Sequence, residues 1–141
     1  IEQLLPLYHP VFAERRIAVA TDFSAAGVEI AADRDKLLQA VRNLLENGAK
    51  YTPPGGWLRI AIARVPEGIR VSFVNNGPGI AAADLPFIFE RFFRADRSRS
   101  RDAGGAGIGL AIVKELIEAH GGQVGAASSP AETTIWFTLP G

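Results

Sequence analysis

The 141-residue chain contains no cysteine. That absence excludes disulfides, thiolate nucleophiles and Cys-based zinc sites, and it is compatible with a reducing compartment. An excess of either charge is also missing, with 15 Lys plus Arg against 15 Asp plus Glu. Such balance gives no sign of nucleic acid or an anionic membrane as partner. Long apolar runs are absent as well: the longest informative one, Ile108 to Val113, includes Gly109 and is followed by Lys114 and Glu115. Nothing here spans a bilayer, and Ile1-Glu-Gln-Leu-Leu5 does not read as a signal peptide. No internal repeat and no domain boundary is visible, and the length fits one domain, 1–141, with a real hydrophobic core. The missing initiator Met suggests an excised piece, any membrane segment of the parent lying outside it.

What is present has a clear order. Leu4, Leu5, Tyr8, Val11 and Phe12 recur at helical spacing, made irregular by Pro6 and Pro10. Arg16 to Thr21 and Val28 to Ala31 read as short strands. Asp33 predicts an N-cap for a helix over 34–50 with Leu37, Val41, Leu44 and Leu45 inward, and Pro53-Pro54-Gly55-Gly56 ends it. Trp57 to Arg64 and Ile69 to Val74 predict a hairpin turning at Pro66-Glu67-Gly68. A further helix is expected over 107–120, with Ile112, Val113, Leu116 and Ile117 inward and Gly121-Gly122 as its stop. Strands over 123–128 and 133–139 close the chain. The intervening 75–107 stretch is rich in Gly and Arg and weakly periodic; a loop of that length is usually functional or disordered. The pattern predicts an α/β two-layer sandwich, a mixed and mostly antiparallel sheet of about five strands with about three helices on one face.

Three constellations carry chemistry. Asn43, Asn47 and Lys50 are spaced four and then three residues apart, so on a helix they share a face beside the apolar stripe. Amide oxygens suit a hard cation and a nearby Lys suits phosphate, although spacing alone favours polar residues that close hydrogen bonds at a helix edge. Val74-Asn75-Asn76-Gly77-Pro78-Gly79-Ile80 directly follows a strand. Its glycines let backbone approach a flat ligand, and a polar side chain at the strand end can read that ligand's edge; an ordinary Asn-Gly turn is the plainer alternative. Gly104-Gly105-Ala106-Gly107-Ile108-Gly109-Leu110 opens a helix, whose exposed N–H groups form an anion site unless the run is merely a flexible linker. No Gly-Lys-Ser/Thr follows, which excludes a P-loop, and the spacing and preceding strand of the dinucleotide fingerprint are absent.

In this order the three segments resemble the N box and two glycine boxes of the catalytic and ATP-binding domain of bacterial sensor histidine kinases, the HATPase or Bergerat fold. Between them, Leu85-Pro-Phe-Ile-Phe-Glu-Arg-Phe-Phe-Arg94 resembles that family's phenylalanine box. Glu115-Leu-Ile-Glu-Ala-His-Gly-Gly122 and the terminal Thr133-Thr-Ile-Trp-Phe-Thr-Leu-Pro140 match as well. The resemblance covers nearly the whole chain. It implies an ATP lid over about 81–106, and a linker helix at 1–15 toward a dimerisation domain that is missing here.

By this resemblance Asn47 coordinates Mg²⁺, Asn43 supports metal and phosphates, Lys50 meets phosphate, and Tyr51 lies against adenine or ribose. Asn75 stands where the family most often has Asp; its Oδ1 still accepts from the adenine amino group, without a charge assistance worth ~1 kcal/mol. Gly77, Gly79 and Ile80 line the base pocket, with Phe89 among the nucleotide-binding residues. Gly105, Gly107, Ile108, Gly109 and Leu110 wrap the triphosphate, and Thr133 helps hold the adenine site. Ala106 replaces a commonly seen Thr, and Glu132 stands where Gly often precedes the Thr. The phenylalanines are expected to anchor the lid, and of the five arginines over 91–101, Arg94 and then Arg97 are candidates to reach the γ-phosphate. As a basic patch this segment could suggest nucleic acid, which the balanced charge disfavours.

The implied activity is transfer of the ATP γ-phosphoryl group to a histidine on a separate dimerisation and acceptor domain, in two-component signalling with a response regulator downstream. Lys50, Asn43, Arg94 and Arg97 are the catalytic candidates, Mg²⁺ and ATP the cofactors. The domain is expected in the cytoplasm, beneath an inner-membrane sensor and without membrane contact of its own. ATPases and serine kinases of this fold typically carry Glu at the position of Asn43, and Asn cannot act as a general base. A degenerate ATP-binding or regulatory module is the remaining alternative, supported by Asn75. His9 and His120 lack the sequence context of a phosphoacceptor; His120 is expected in a surface role at a helix C-terminus.

Overall fold

A computed structural model describes residues 5–23, 33–76, 87–89, 108–129 and 131–140. The first helix, α1 (Leu5–Glu14), holds Pro10 in its interior. Phe12 is its buried anchor, whereas Leu7 and Val11 are exposed, so Val11 does not share the core face that its spacing predicted. Arg16 ends the helix in the left-handed region at φ 58. The Ile17 N–H bonds the Phe12 carbonyl at 2.8 Å and the Arg16 N–H bonds that of Ala13 at 3.0 Å, a Schellman closure with Arg in the place usually taken by Gly.

Strand β1 (Ala18–Asp22) follows, then α2 (Arg34–Tyr51). The Asp33 side chain accepts from the N–H groups of Asp35 and Lys36, which satisfies two of the donors that any helix start leaves open. Ala40, Val41, Leu44 and Leu45 form the buried stripe of α2, with Leu37 half-buried beside them. Full burial of a leucine is worth ~2 kcal/mol, so this stripe binds α2 to the sheet more strongly than its propensity forms it. The proposed strand over 28–31 lies outside the described residues.

Strands β2 (Trp57–Val65) and β3 (Gly68–Asn76) make the expected hairpin, with Val65 opposite Gly68. Helix α3 (Ile108–Ala119), β4 (Gln123–Ser128) and β5 (Glu132–Pro140) complete the fold. The five strands run in the order β1-β2-β3-β5-β4; β1 is parallel to β2 and the other neighbours are antiparallel. One core cluster joins Phe12, the α2 stripe, Val113 and Ile117 to Leu58, Ile60, Val71, Phe73, Ile135 and Phe137 of the sheet, so the helices cover a single sheet face. The inward stripe of α3 is Ala111, Val113 and Ile117, flanked by Leu110 and Leu116; Ile112 is half-buried outside it, a shift of phase from the expected one.

Two features orient α3. The Gly122 N–H bonds the Ile117 carbonyl and the Gly121 N–H that of Glu118, each at 3.0 Å, with Gly121 at φ 78, again a Schellman closure. Gly122 then lies so close to the Thr138 carbonyl oxygen that a Cβ there would overlap it. The C-terminus of α3 is therefore fixed at the far end of β5, and its N-terminus points toward the end where β5 begins.

Candidate functional site

The end of the sheet where β5 begins carries Asn75 and Asn76 of β3 and Thr133 of β5. Helix α2 delivers Asn43, Asn47, Lys50 and Tyr51 in its second half, then passes through Thr52 to Gly56 into β2. The C-cap of α2 is held there: the guanidinium of Arg15 donates to the Thr52 carbonyl at 3.0 Å, and the Gly55 N–H donates to the Arg15 carbonyl at 3.1 Å. Asn75 and Asn76 are the last two residues of β3, paired with Thr133 and Glu132 at the start of β5. They belong to the strand itself and not to a loop beyond it, because their cross-strand partners extend the ladder by two residues past Val74.

Helix α3 brings the third segment to the same place. The Asp33 N–H donates to His120 Nε2 at 2.9 Å, so the start of α2 sits at the end of α3 and the two helices run antiparallel. At 1.5 Å per residue, the twelve residues of α3 reach back ~18 Å along α2, to the neighbourhood of Leu45 and Asn47. Ile108, Gly109 and Leu110 are the first turn of α3, and Leu110 is half-buried against the core. An α-helix presents unpaired N–H groups and positive dipole charge at this end, the electrostatics that an oligophosphate requires.

The side chains are posed unequally. Asn43 is half-buried, and its Nδ2 has no hydrogen-bond partner although water cannot reach it. A buried unpaired amide costs about 1–3 kcal/mol, so it needs either a functional reason or a ligand. Asn47 is half-buried on the next turn of the same face. Asn75 donates from Nδ2 to the Asn76 carbonyl at 3.3 Å, which orients its amide and leaves Oδ1 the acceptor role. Thr133 is buried, with its hydroxyl 3.1 Å from that of Ser128. Beside Glu132, the Ser129 N–H bonds the Glu132 carbonyl at 2.8 Å, and Ser129 Oγ accepts from the N–H groups of Ala131 and Glu132.

In the phenylalanine box, Ile88 is buried and Phe89 packs against the core, but Phe87 is 46% exposed. Phe92 and Phe93, expected to anchor the lid, lie outside the described residues. Gly77, Gly79, Ile80, Arg94, Arg97, Gly105 and Gly107 lie outside the described residues. Sequence reasoning missed Asn76, whose Oδ1 accepts from the Trp57 N–H at 2.6 Å, and Gly56, where a Cβ would stand 2.5 Å from that oxygen. It also missed Thr52, fully buried at the foot of α2 with an unpartnered hydroxyl. An Asn at a strand end and a Gly opening the next strand were the available signals, but their meeting depends on the hairpin register.

Away from this end, Tyr8 of α1 donates to Glu46 Oε1 of α2 at 3.0 Å. Burial pushes the phenol up to about 12, helped by the bond and the charge of Glu46 and opposed by Arg42. Among the described residues there is no group of three or more His, Cys, Asp or Glu side chains able to hold a metal, and no helix long and apolar enough to cross a membrane.

A mixed five-stranded sheet covered on one face by helices, with α2 and α3 antiparallel, defines a two-layer α/β sandwich. The chain belongs to the histidine kinase-, DNA gyrase B- and HSP90-like ATPase family, whose sequence model matches residues 32–141. It is 43% identical over 114 residues to the signal transduction histidine-protein kinase BaeS of Escherichia coli (strain K12), covering 80% of this chain and 24% of that protein. The chain thus spans about a quarter of that relative's length. Among solved structures, the mycobacterial sensor histidine kinase MprB matches with TM-score 0.83 and 33% identity, over 99% of this chain and 94% of that one. Full-length ShkA in complex with AMPPNP matches with TM-score 0.82 and 33% identity, over 96% of this chain and 28% of that one.

Proposed function

We propose that the chain binds Mg²⁺–ATP between the second half of α2, the end of β3 and the first turn of α3, and transfers the γ-phosphoryl group to a histidine on a separate acceptor domain. The observation that carries this reading is Asn43, a half-buried amide on α2 with an unpartnered Nδ2. A carboxylate at that position could activate water; an amide can only donate, accept and orient. The BaeS and MprB likenesses are to histidine kinases, and ShkA carries a nucleotide analogue, which supports the same reading.

The residues fit the group they would hold. Mg²⁺ keeps several waters and takes few protein ligands beside phosphate oxygens, so one amide oxygen from Asn47 suffices and no carboxylate cluster is needed. Once bound, the metal supplies charge neutralisation on the phosphates. Asn43 donates to a phosphate oxygen, Lys50 and the N–H groups around Ile108 to Leu110 offset developing negative charge, and Asn75 Oδ1 accepts from the adenine amino group with Thr133 beside it. Arg94 or Arg97 from the lid completes the charge balance at the γ-phosphate. In the transfer the bond from the γ-phosphorus to the β–γ bridging oxygen breaks, a P–N bond to the acceptor imidazole forms, and ADP leaves. A neutral imidazole attacks through its unprotonated nitrogen, so no strong base is required. The acceptor domain, a downstream response regulator and a cytoplasmic position beneath a membrane sensor complete the proposal.

Calorimetry with Mg²⁺–ATP tests the site. Asn47→Ala should abolish Mg²⁺-dependent binding while the fold persists, and unchanged affinity would remove Asn47 from the site. Asn43→Glu tests the rival activity, since a gain of ATP hydrolysis is expected if a missing base is what separates this chain from the ATPases of its family.

A further inference from the structure

We propose that His120 is a positioning residue for the nucleotide site: by tying the end of α3 to the start of α2, it sets where the first turn of α3 meets Asn43 and Asn47. The inference rests on the nucleotide reading above. Both ring nitrogens are in use, Nδ1 lying 2.7 Å from the Leu116 carbonyl oxygen and Nε2 accepting from the Asp33 N–H at 2.9 Å. Only the tautomer protonated at Nδ1 satisfies both contacts. The imidazole therefore caps its own helix with one edge and grips the neighbouring helix with the other.

The Asp33 N–H is a donor that local sequence leaves open. In a capping box it is taken by Glu or Gln at the third helical position, but that position here is Lys36, which has no acceptor. His120 supplies the acceptor from 87 residues away. The rest of the described α2–α3 contact includes apolar surface, since Val41, Leu44, Leu45, Val113 and Ile117 belong to one cluster, and burial of such surface is non-directional. A directional bond fixes the axial position. Gly122, seated against the Thr138 carbonyl, holds the same end of α3 to the sheet. With its far end fixed in this way, the helix places its first turn as a rigid rod would, and displacements near 1 Å at a phosphate site are costly.

Two substitutions separate the contacts. In His120→Asn, the side-chain amide can still donate to the Leu116 carbonyl from the position of Nδ1, but nothing reaches Asp33. In His120→Gln, Oε1 occupies the position of Nε2 and can accept from Asp33. Mg²⁺–ATP affinity, measured by calorimetry well below each melting temperature, should weaken roughly 2- to 10-fold in His120→Asn and remain within about 2-fold in His120→Gln. A double variant, Lys36→Glu with His120→Asn, satisfies the Asp33 N–H locally through a capping box. It should regain melting temperature without regaining affinity, and it keeps the test open if His120→Asn alone folds poorly. Wild-type affinity in His120→Asn or in the double variant would overturn the positioning role while leaving the nucleotide site intact. Absence of Mg²⁺–ATP binding in the unsubstituted chain would instead overturn the nucleotide reading, and this inference with it.

Discussion

The side-chain oxygen of Asn76 accepts the backbone N–H of Trp57 at 2.6 Å, so the last residue of β3 closes the first residue of β2. The backbone ladder between these strands ends one step earlier, at Leu58 and Asn75, and the Asn76 amide takes over from it. Gly56 permits the approach, since any Cβ there would stand 2.5 Å from the same oxygen. The two adjacent asparagines therefore divide their work, Asn76 toward the fold and Asn75 toward the proposed ligand. Asn76→Ala should cost about 1–2 kcal/mol in urea unfolding, because it strands a part-buried N–H. Asn75→Ala should change stability by less than ~0.5 kcal/mol and weaken ATP binding instead. The opposite assignment of effects would refute the division.

Gly122 is expected to be the least replaceable of the described glycines on α3 and its C-terminal turn. A methyl group there meets the Thr138 carbonyl oxygen and the side chain of Ile117, and a backbone oxygen cannot swing aside. Gly122→Ala should cost ~3 kcal/mol or more, or prevent folding. Gly55, at φ 80 with open space around its Cβ position, is the comparison: Gly55→Ala should cost only about 1 kcal/mol of backbone strain. Equal melting temperatures for the two variants would contradict the packing argument.

Tyr8 contributes a part of the fold's stability that is sensitive to alkaline pH. Its folded-state value of about 12 exceeds the ordinary 10.0, so folding favours the protonated phenol that donates to Glu46. For a group raised in this way, the stabilisation is fully present below pH 10 and lost as pH rises through about 12. The stability difference between the wild type and Tyr8→Phe should therefore be constant up to pH 10 and shrink above it. A difference that stays flat through that window would show that burial and the Glu46 contact do not raise the phenol.

Local chemistry made several elements legible in the sequence. Asp33 announced α2 because capping needs only residues two and three positions away, and Gly121-Gly122 announced the end of α3 for the same reason. The hairpin followed from apolar alternation on both sides of Pro66-Glu67. Features that depend on partners distant in sequence were not legible. The extension of β3 through Asn76 requires β5, 56 or more residues away, and the exposure of Val11 depends on how α1 lies across the core. Helical periodicity fixes a face but not its phase against the sheet, which is why Ala111 displaced Ile112 from the core of α3. His120 read as a surface residue because its second partner, Asp33, is on another helix. In the candidate site, residue types and order were legible from the family resemblance, whereas the orphaned amide of Asn43 and the antiparallel placement of α3 required the fold.

The most direct test mixes this chain with the acceptor domain of its own protein and γ-labelled ATP in the presence of Mg²⁺, then follows label on the acceptor after acid and after base. Transfer to histidine predicts label that is lost in acid and survives base, and that disappears when the acceptor histidine or Asn47 is replaced. Absence of label on an acceptor domain shown to be folded, with ATP binding by this chain intact, would contradict phosphotransfer and make the domain a nucleotide-binding regulatory module.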